Sequence, residues 1–194
     1  MIKHKLLFNA LNEWAPIPSN EWSALSEVLQ ERVLGKGDFF LKSGTMAEEV
    51  GFIISGFCRQ FYIHEDGSES NHTFNFENEL VAGYPSLLEK VPSKYNIQAM
   101  ENVELLVTSY AEFEEFFARH PCWERLGRKV AEWNYLLKMQ RETAFLTKDA
   151  KERYLDVFET RPEIIRRVPQ YHLASYLGIT ASALNRIIKR LEKE

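Results

Sequence analysis

The sequence predicts an α+β fold, in which an antiparallel β-roll is followed by a long helix and a C-terminal helix-turn-helix. Within residues 32–109, short β-rich runs alternate with turn signals, which indicates seven to eight strands of a double-stranded β-helix or jelly roll. Residues 121–146 carry an apolar heptad pattern typical of one long helix. Residues 169–191 contain two short amphipathic segments separated by Gly178, which is the pattern of a helix-turn-helix.

The elements before and within the roll have clear local signals. Apolar residues at helical spacing in residues 5–30 are interrupted by Pro16 and Pro18, so we expect two short helices there. Asp66 and Gly67 lie between two alternating runs and predict a β-hairpin, because this pair accepts the positive φ values of a tight turn. After the roll we expect short helices over 112–119 and 149–159, on either side of the long one.

Composition indicates a globular protein that lies outside the membrane. The chain has 194 residues, of which 45% are hydrophobic and 27% are charged. We expect no membrane span, because no segment approaches about 18 uninterrupted apolar residues, and the first residues do not form a signal peptide. Cys58 and Cys122 are too few and too far apart for a disulfide framework or a multi-cysteine metal site. A cytoplasmic location with two reduced thiols is the resulting expectation.

Charge is distributed unevenly along the chain. The net charge is −4, yet residues 1–120 hold 9 Lys+Arg against 18 Asp+Glu, whereas residues 161–194 hold 7 Lys+Arg against 3 Asp+Glu. The chain therefore has an acidic body and a basic end. A basic end can bind a polyanion locally while the acidic body discourages adhesion elsewhere.

The last segment predicts a helix with one buried and one exposed face. Thr180 can cap this helix, in which Leu184, Ile187, Ile188 and Leu191 form an apolar stripe. We expect double-stranded DNA as the partner of the other face, since small and hydrogen-bonding residues followed by cations suit the major groove. The predicted DNA-binding residues are Gln170, Thr180, Ala181, Ser182, Asn185, Arg186 and Lys189. A plain helical corner with a solvated basic face is the alternative interpretation.

The heptad pattern of the long helix has two interpretations. The pattern residues are spaced four and three apart, as in the seam of a coiled-coil dimer. A helix buried against the roll would show much the same spacing. The predicted seam residues are Leu126, Val130, Trp133, Leu137, Gln140 and Ala144.

The order of these elements resembles the Crp/Fnr family of bacterial transcription regulators. The matching segments are FFLKSGTMAEEVGFIISG at residues 39–56, the hairpin at Asp66 and Gly67, and the terminal YLGITASALNRIIKRL. Residues 74–109 look like the Bacteroidetes-type branch of that family. The resemblance implies a cyclic-nucleotide-binding-like sensor domain at 1–120, a dimerisation helix at 121–147 and a DNA-binding domain at 148–194. It also implies a homodimer, with RNA polymerase as a candidate further partner.

The residues that bind cyclic AMP in this family are not matched here. The resemblance places a Gly-Glu pair and an Arg-Ser pair in the roll, the second to grip the phosphate. Here Gly83 is followed by Tyr84, and Ser93 and Lys94 stand where Arg and Ser are expected. A lysine point charge cannot reproduce the fork of an arginine. We therefore expect no cyclic AMP binding of the usual kind. Two distant cysteines are too few for an iron-sulfur cluster, and the five histidines show no arrangement that indicates haem, so we expect neither of these cofactors and no metal. Residues that could line a pocket for another effector are Phe74, Gly83, Tyr84, Lys94, Tyr95 and Trp133, although the aromatic residues among them favour an aromatic-rich filled core over a pocket.

The base-reading positions also depart from the family pattern. The resemblance implies Arg, Glu and Arg at the positions of Ala181, Ser182 and Arg186, so only Arg186 matches. We expect an operator that differs from the family's common half-site. The family's β-hairpin wing would follow the last helix, and the sequence given ends at Glu194, so a winged-helix-like domain without its final wing is expected.

Two other classes of function compete with DNA binding. The chain could be a ligand-sensing module whose helix-turn-helix serves a protein partner or is vestigial, although the basic residues near it disfavour this. A metal-dependent enzyme built on the roll would need a convergent His/Glu cluster, and the sequence offers no His-x-His pair. We expect that the protein is not an enzyme.

Overall fold

The computed structural model describes residues 2–192. Two helices precede the roll, α1 (Ile2–Trp14) and α2 (Ser19–Val28), as the interrupted helical pattern predicts. Eight strands follow, also as predicted. They are β1 (Gln30–Leu34), β2 (Phe39–Leu41), β3 (Glu49–Ser55), β4 (Cys58–Ile63), β5 (Glu69–Asn75), β6 (Leu80–Ala82), β7 (Asn96–Ala99) and β8 (Val103–Ser109).

The strands form two four-stranded sheets. One sheet has the order β1-β8-β3-β6 and the other has the order β2-β7-β4-β5. In the first sheet β3 lies antiparallel to β8, with Gly51 opposite Val107 and Ile53 opposite Leu105. The predicted hairpin joins β4 to β5, and Gly67 at its turn has a φ of 81°. This confirms the predicted antiparallel jelly roll.

A short helix inside the roll is not visible in the sequence pattern. Helix α3 (Tyr84–Glu89) begins directly after Gly83, and Pro85 occupies its first turn, where a missing N–H costs nothing. Six residues are too few to show a helical period. The helix ends at Lys90, which has a left-handed φ of 54°.

The remaining elements are helical. Helix α4 (Tyr110–Arg119) starts with a capping box between Ser109 and Glu112. Five more helices follow α4 in the described part of the chain. They are α5 (Pro121–Thr147), α6 (Ala150–Thr160), α7 (Pro162–Arg167), α8 (Gln170–Leu177) and α9 (Ala181–Leu191). Because the described residues end at 192, the predicted lack of a wing falls outside them. No helix among residues 2–192 is long and apolar enough to cross a membrane.

Contacts divide the chain into two compact units, at boundaries that differ from the predicted ones. Among the described residues, the first unit comprises 2–60 and 74–134, and the second comprises 61–73 and 135–192. Helix α5 is therefore not a separate segment, because its first half packs in one unit and its second half in the other. The tip of the β4–β5 hairpin belongs to the helical unit, which its position in the sequence does not suggest.

The first unit has two apolar cores. One lies inside the roll and contains Ile53, Val81, Ile97 and Leu105. The other lies between the N-terminal helices, α4, the beginning of α5 and the roll, and it includes the fully buried Trp123. The indole N–H of Trp123 donates to the buried carboxylate of Glu21, at 2.9 Å.

The beginning of the predicted dimer seam lies in this second core. Leu126 is only 2% exposed there, and Val130 packs against the same cluster. These two residues therefore contact the chain's own core, which is the second of the two interpretations of the heptad pattern. Among the other predicted seam residues, Leu137 and Ala144 are half-buried, whereas Trp133 and Gln140 are exposed.

Candidate nucleic-acid interface

The turn between α8 and α9 is built by backbone hydrogen bonds and one hydroxyl group. Gly178 takes a left-handed φ of 69° and its N–H donates to the carbonyls of Ala174 and Ser175. The N–H of Ile179 donates to the carbonyl of Ala174, at 3.0 Å, so the helix has a Schellman-type end. The hydroxyl of Thr180 then accepts the N–H of Ala183 at 3.2 Å and caps α9, as its sequence position predicts.

The apolar face of α9 is fixed by the helices around it. Leu184 is fully buried, at 0% exposure, and Leu173 and Leu177 of α8 are also buried. Ile187, Ile188 and Leu191 are half-buried. The stripe predicted from the 3.6-residue period is therefore the stripe that packs, which leaves the opposite face exposed.

The opposite face carries the predicted DNA-binding residues. Thr180 and Gln170 are exposed, and so are Ala181, Ser182, Asn185, Arg186 and Lys189. The hydroxyl of Ser182 lies 3.0 Å from that of Thr180. Within residues 2–192, the side chains of Asn185, Arg186 and Lys189 make no hydrogen bond or ion pair. The N-terminal half of α9 thus presents small side chains and unpaired polar groups, with cations in the half that follows.

One contact in the helical unit links residues that are more than 100 positions apart. The hydroxyl of Ser175 on α8 accepts the backbone N–H of Asn71 at 2.9 Å and donates to the carbonyl of Glu69 at 3.0 Å. The side-chain amide of Asn71 donates to the ring Nδ1 of His172, at 3.1 Å. The edge of the β4–β5 hairpin is therefore held on α8 by polar contacts. Sequence reasoning missed this contact, since neither segment carries a local signal for it.

A histidine of the same hairpin has an unusual protonation equilibrium. Burial lowers the pKa of His72 from 6.5 to about 4, and the positive charges of Arg141 and Lys138 act in the same direction. His72 is therefore neutral near pH 7. Its ring lies edge-on to Tyr62, with the ring centroids 6.1 Å apart.

In the segment of the roll where the resemblance places a phosphate site, both serine hydroxyls are engaged in hydrogen bonds within the first unit. The buried hydroxyl of Ser93 donates to the carbonyl of Tyr95 at 2.8 Å and accepts its N–H at 3.2 Å. The hydroxyl of Ser86 accepts the N–H of Ala47 at 3.0 Å. Asn96 accepts the N–H of Ser43, and its buried Nδ2 has no partner among the described residues. We call residues 83–96 the cassette.

The predicted effector residues have different surroundings. Phe74 and Tyr95 are buried, and the Tyr95 hydroxyl lies 3.4 Å from the carbonyl of Ala82. Tyr84 is 46% exposed and Lys94 is also exposed. Trp133 packs edge-on against Trp14, with ring centroids 5.7 Å apart.

Two of the six predicted effector residues, Gly83 and Tyr84, each line a cleft in the first unit. Gly83 lines an open cleft of about 240 Å³ beside β2, together with Lys42, Thr45 and Met46. Tyr84 lines a shallower groove beside Phe117 and Arg125.

Burial raises the pKa of the Cys58 thiol to about 12, so this cysteine stays protonated and unreactive. No cluster of His, Cys, Asp and Glu within residues 2–192 could hold a metal ion.

The second half of α5 carries exposed apolar side chains. Leu136 is 56% exposed and Leu146 is 79% exposed, and Met139 and Tyr135 are exposed as well. Leu136, Met139, Thr143 and Leu146 follow one another at intervals of three, four and three residues. This exposed stripe is displaced by one residue from the predicted seam, because Leu137, Arg141 and Ala144 face inward.

Comparisons with known proteins agree with the roll and with the order of the elements. Residues 31–120 match the family model of the cyclic nucleotide-binding domain. A mutant of CooA from Carboxydothermus hydrogenoformans is 20% identical, with a TM-score of 0.72 over 96% of this chain and 84% of that chain. The catabolite activator protein of Thermus thermophilus is 20% identical, with a TM-score of 0.57 over 95% of this chain and 87% of that chain.

A third similar structure is CLP of Xanthomonas campestris, described as a global regulator that responds to c-di-GMP. It is 16% identical, with a TM-score of 0.70 over 91% of this chain and 92% of that chain. A search of curated proteins finds no significant match. The resemblance stated from the sequence is confirmed at the level of fold. Residues 31–120 are similar to the cyclic nucleotide-binding domain, and the chain shares its fold with CooA and with the catabolite activator protein of Thermus thermophilus.

Proposed function

We propose that the protein is a homodimeric transcription regulator that binds specific DNA sequences through α9. The observation that carries this proposal is the exposed face of α9, where Asn185, Arg186 and Lys189 have no partner among the described residues while Leu184 fixes the helix from behind. Unpaired donors on a capped, rigidly packed helix are what base and phosphate contacts require. The net charge of residues 161–194 has the sign that DNA attracts.

We further propose that the dimer forms through the exposed stripe on α5. Leu136, Met139 and Leu146 would lose their exposure to water against the same residues of a second copy, which supplies the driving force for a helix pair. Two copies related by a two-fold axis would present two α9 helices to major grooves about 34 Å apart. The expected site is therefore a near-palindrome with half-sites one helical turn apart.

We expect some of the exposed residues to contact DNA bases and others to contact DNA phosphates. Arg186 is placed to donate to a guanine, while Ala181 can contact a thymine methyl group and Ser182 can bond to several bases. Gln170 and Lys189 lie further from the turn and suit phosphate. The loss of either of these two should weaken binding to all sequences alike, and the loss of Lys189 should reduce the dependence of affinity on salt by about one counterion.

A gel shift with genomic fragments at defined salt tests the proposal. Arg186→Ala is expected to weaken specific binding by about 1–3 kcal/mol without changing the folded structure. Arg128→Ala is the matched control, because it removes the same charge from an exposed arginine that is paired with Glu132 on α5. A footprint and an affinity unchanged by Arg186→Ala would contradict the docking proposed for α9.

The proposed effector is not cyclic AMP held in the family's usual manner. The cassette hydroxyls of Ser86 and Ser93 are already used within the chain, and the cassette cations Lys90 and Lys94 are exposed ammonium groups without the fork of an arginine. A phosphate therefore finds no set of donors to compensate for its lost hydration. We propose that the protein acts in the cytoplasm as a non-catalytic regulator, with RNA polymerase as a candidate partner.

A further inference from the structure

The carbonyl end of α8 is held by two arginines from other helices. The last carbonyls of a helix lack partners within that helix. The turn at Gly178 satisfies those of Ala174 and Ser175. The next two carbonyls are bonded from outside, since Arg141 of α5 donates its Nη2 to Tyr176 O at 2.9 Å and Arg153 of α6 donates its Nε to Leu177 O at 3.2 Å.

An aromatic ring fixes both guanidinium groups. The guanidinium carbons of Arg141 and Arg153 lie 4.7 Å and 4.8 Å from the centroid of the Phe145 ring. Arg141 also lies 4.2 Å from the ring centroid of Tyr176. Phe145 fills the space beside the turn as well, because a Cβ on Gly178 would lie 2.7 Å from its Cε1 atom. The arginines, the ring and the turn therefore form one packed group.

The arrangement suits a cation and differs from an ordinary ion pair. In the described part of the chain, neither Arg141 nor Arg153 has a carboxylate within salt-bridge distance. Burial lowers the pKa of Arg141, so its bond to the Tyr176 carbonyl lies where water competes weakly. Positive charge at the carboxyl end of a helix is favoured by the helix dipole. Arg153 also donates to Lys148 O at 2.7 Å, which ties the residues after α5 to the end of α8.

We propose that Arg141 and Arg153 are positioning residues for DNA reading, which hold the end of α8 and thereby fix the turn from which α9 begins. This rests on the proposed function. Ala181 and Ser182 follow Gly178 by only three and four residues, so a shift of the turn moves the base-reading positions directly. Base contacts tolerate errors of about 0.5 Å, whereas the electrostatic attraction of DNA does not depend on such detail.

Sequence-specific binding and binding to unrelated DNA should therefore respond differently to Arg141→Gln. Specific binding is expected to fall about tenfold, because a buried carbonyl loses a charged donor and the turn is released. Binding to unrelated DNA, and its dependence on salt, should not change, since the guanidinium of Arg141 is half-buried and donates to the Tyr176 carbonyl. Lys138→Gln on the same helix is the matched control, as it removes an exposed cation three residues away.

The experiment measures fluorescence anisotropy of the full chain with a selected operator duplex and with an unrelated duplex of equal length, at two salt concentrations. Amide hydrogen exchange at Gly178 and Ile179 is recorded on the same variants. Arg141→Gln is expected to lower the operator-to-unrelated affinity ratio and to speed exchange at the turn, whereas Lys138→Gln changes neither. Arg141→Lys should recover only part of the ratio, because an ammonium group cannot stack on Phe145 and Tyr176 while it donates.

Different failures have different meanings. An unchanged ratio in a folded Arg141→Gln variant overturns the positioning role and leaves DNA binding intact. Equal losses for both duplexes, in proportion to the unfolded fraction, also overturn it, since that is the result of a merely structural role. If Arg141→Gln does not fold, Arg153→Gln provides the same comparison. Absence of any operator preference in the unaltered chain overturns the proposed function, and the positioning role with it.

Discussion

The cassette and α9 treat their polar side chains in opposite ways. In the cassette, Ser86 and Ser93 bond to groups of the same unit, and the space over Gly83 is filled by Leu41. On α9, the exposed side chains from Asn185 onward have no partner in the described residues. Hydroxyl groups that are already bonded have little to offer a ligand, and a further donor of the cassette, Nδ2 of Asn96, is buried without a partner among the described residues. An ordered helix with unpaired exposed donors can exchange its bonds to water for bonds to a partner. The exposed face of α9 is thus free to meet a partner, whereas the hydroxyl groups of Ser86 and Ser93 are occupied within the first unit.

The largest expected effect is a difference in the free energy of unfolding between variants on the two faces of α9. Leu184→Ala should lower the free energy of unfolding of the helical unit by about 2–5 kcal/mol, because it leaves a cavity at a fully buried position. Asn185→Ala, its exposed neighbour, should change that free energy by less than about 0.5 kcal/mol. Urea unfolding followed by circular dichroism measures both. Similar losses for the two variants would contradict the division of the helix into a packed face and an open face.

The next effect tests how tightly the cassette is closed. Gly83→Ala should cost about 1–3 kcal/mol, since its Cβ would lie 2.3 Å from Leu41 Cδ2 and 2.7 Å from Ala47 Cβ. Gly67→Ala at the hairpin turn is the control, because the space there is open and only its positive φ opposes a side chain. Thermal unfolding compares the two. A Gly83→Ala variant as stable as the unaltered chain would show that the cassette has room for a ligand.

The stability of the protein should also depend on pH, because His72 lies in the β4–β5 hairpin that is held on α8. The pKa of His72 is about 4 in the folded protein and about 6.5 when unfolded, so the unfolded chain binds the extra proton between these values. Stability is therefore expected to fall as the pH drops from about 6.5 to 4, by at most about 1.4 kcal/mol per pH unit from this group. His72→Gln should flatten this part of the curve. Chemical denaturation at several pH values measures it, and an equal slope in both proteins would contradict the burial of His72.

The smallest effect is expected at Lys94, an exposed lysine whose ammonium group alone is not expected to hold a phosphate. Isothermal titration with cyclic AMP should show no submillimolar binding to the unaltered chain, and Lys94→Ala should leave both that result and the stability unchanged. Submillimolar binding that Lys94→Ala does not alter would show that the cassette opens for the nucleotide by another route.

Local patterns were sufficient to predict the parts of the fold that local chemistry determines. Gly178 and Thr180 could be assigned to the turn and the cap because a positive φ and an N-cap each demand few residue types. The eight strands and the Asp66-Gly67 hairpin followed from alternation and turn chemistry in the same way. Helix α3 was missed because six residues cannot display a period.

Contacts between distant segments could not be predicted. The bonds from Asn71 to α8 and from Arg141 to the end of that helix join residues 104 and 35 positions apart, and neither end has a local signature. The spacing of apolar residues in α5 left two interpretations open for a related reason. Leu126 faces the chain's own core and Leu136 faces outward, yet both belong to stripes with nearly the same spacing, so only the position of the neighbouring elements distinguishes them.

The central claim is that the open face of α9 reads DNA, and selection from a random pool of duplexes by the purified protein tests it most directly. We expect enrichment of a near-palindrome whose half-sites lie about 10 base pairs apart. We also expect that Arg186→Ala loses the preference at one position of each half-site while Arg128→Ala keeps it. No enrichment by the folded protein, or the same motif from both variants, would contradict DNA reading by α9.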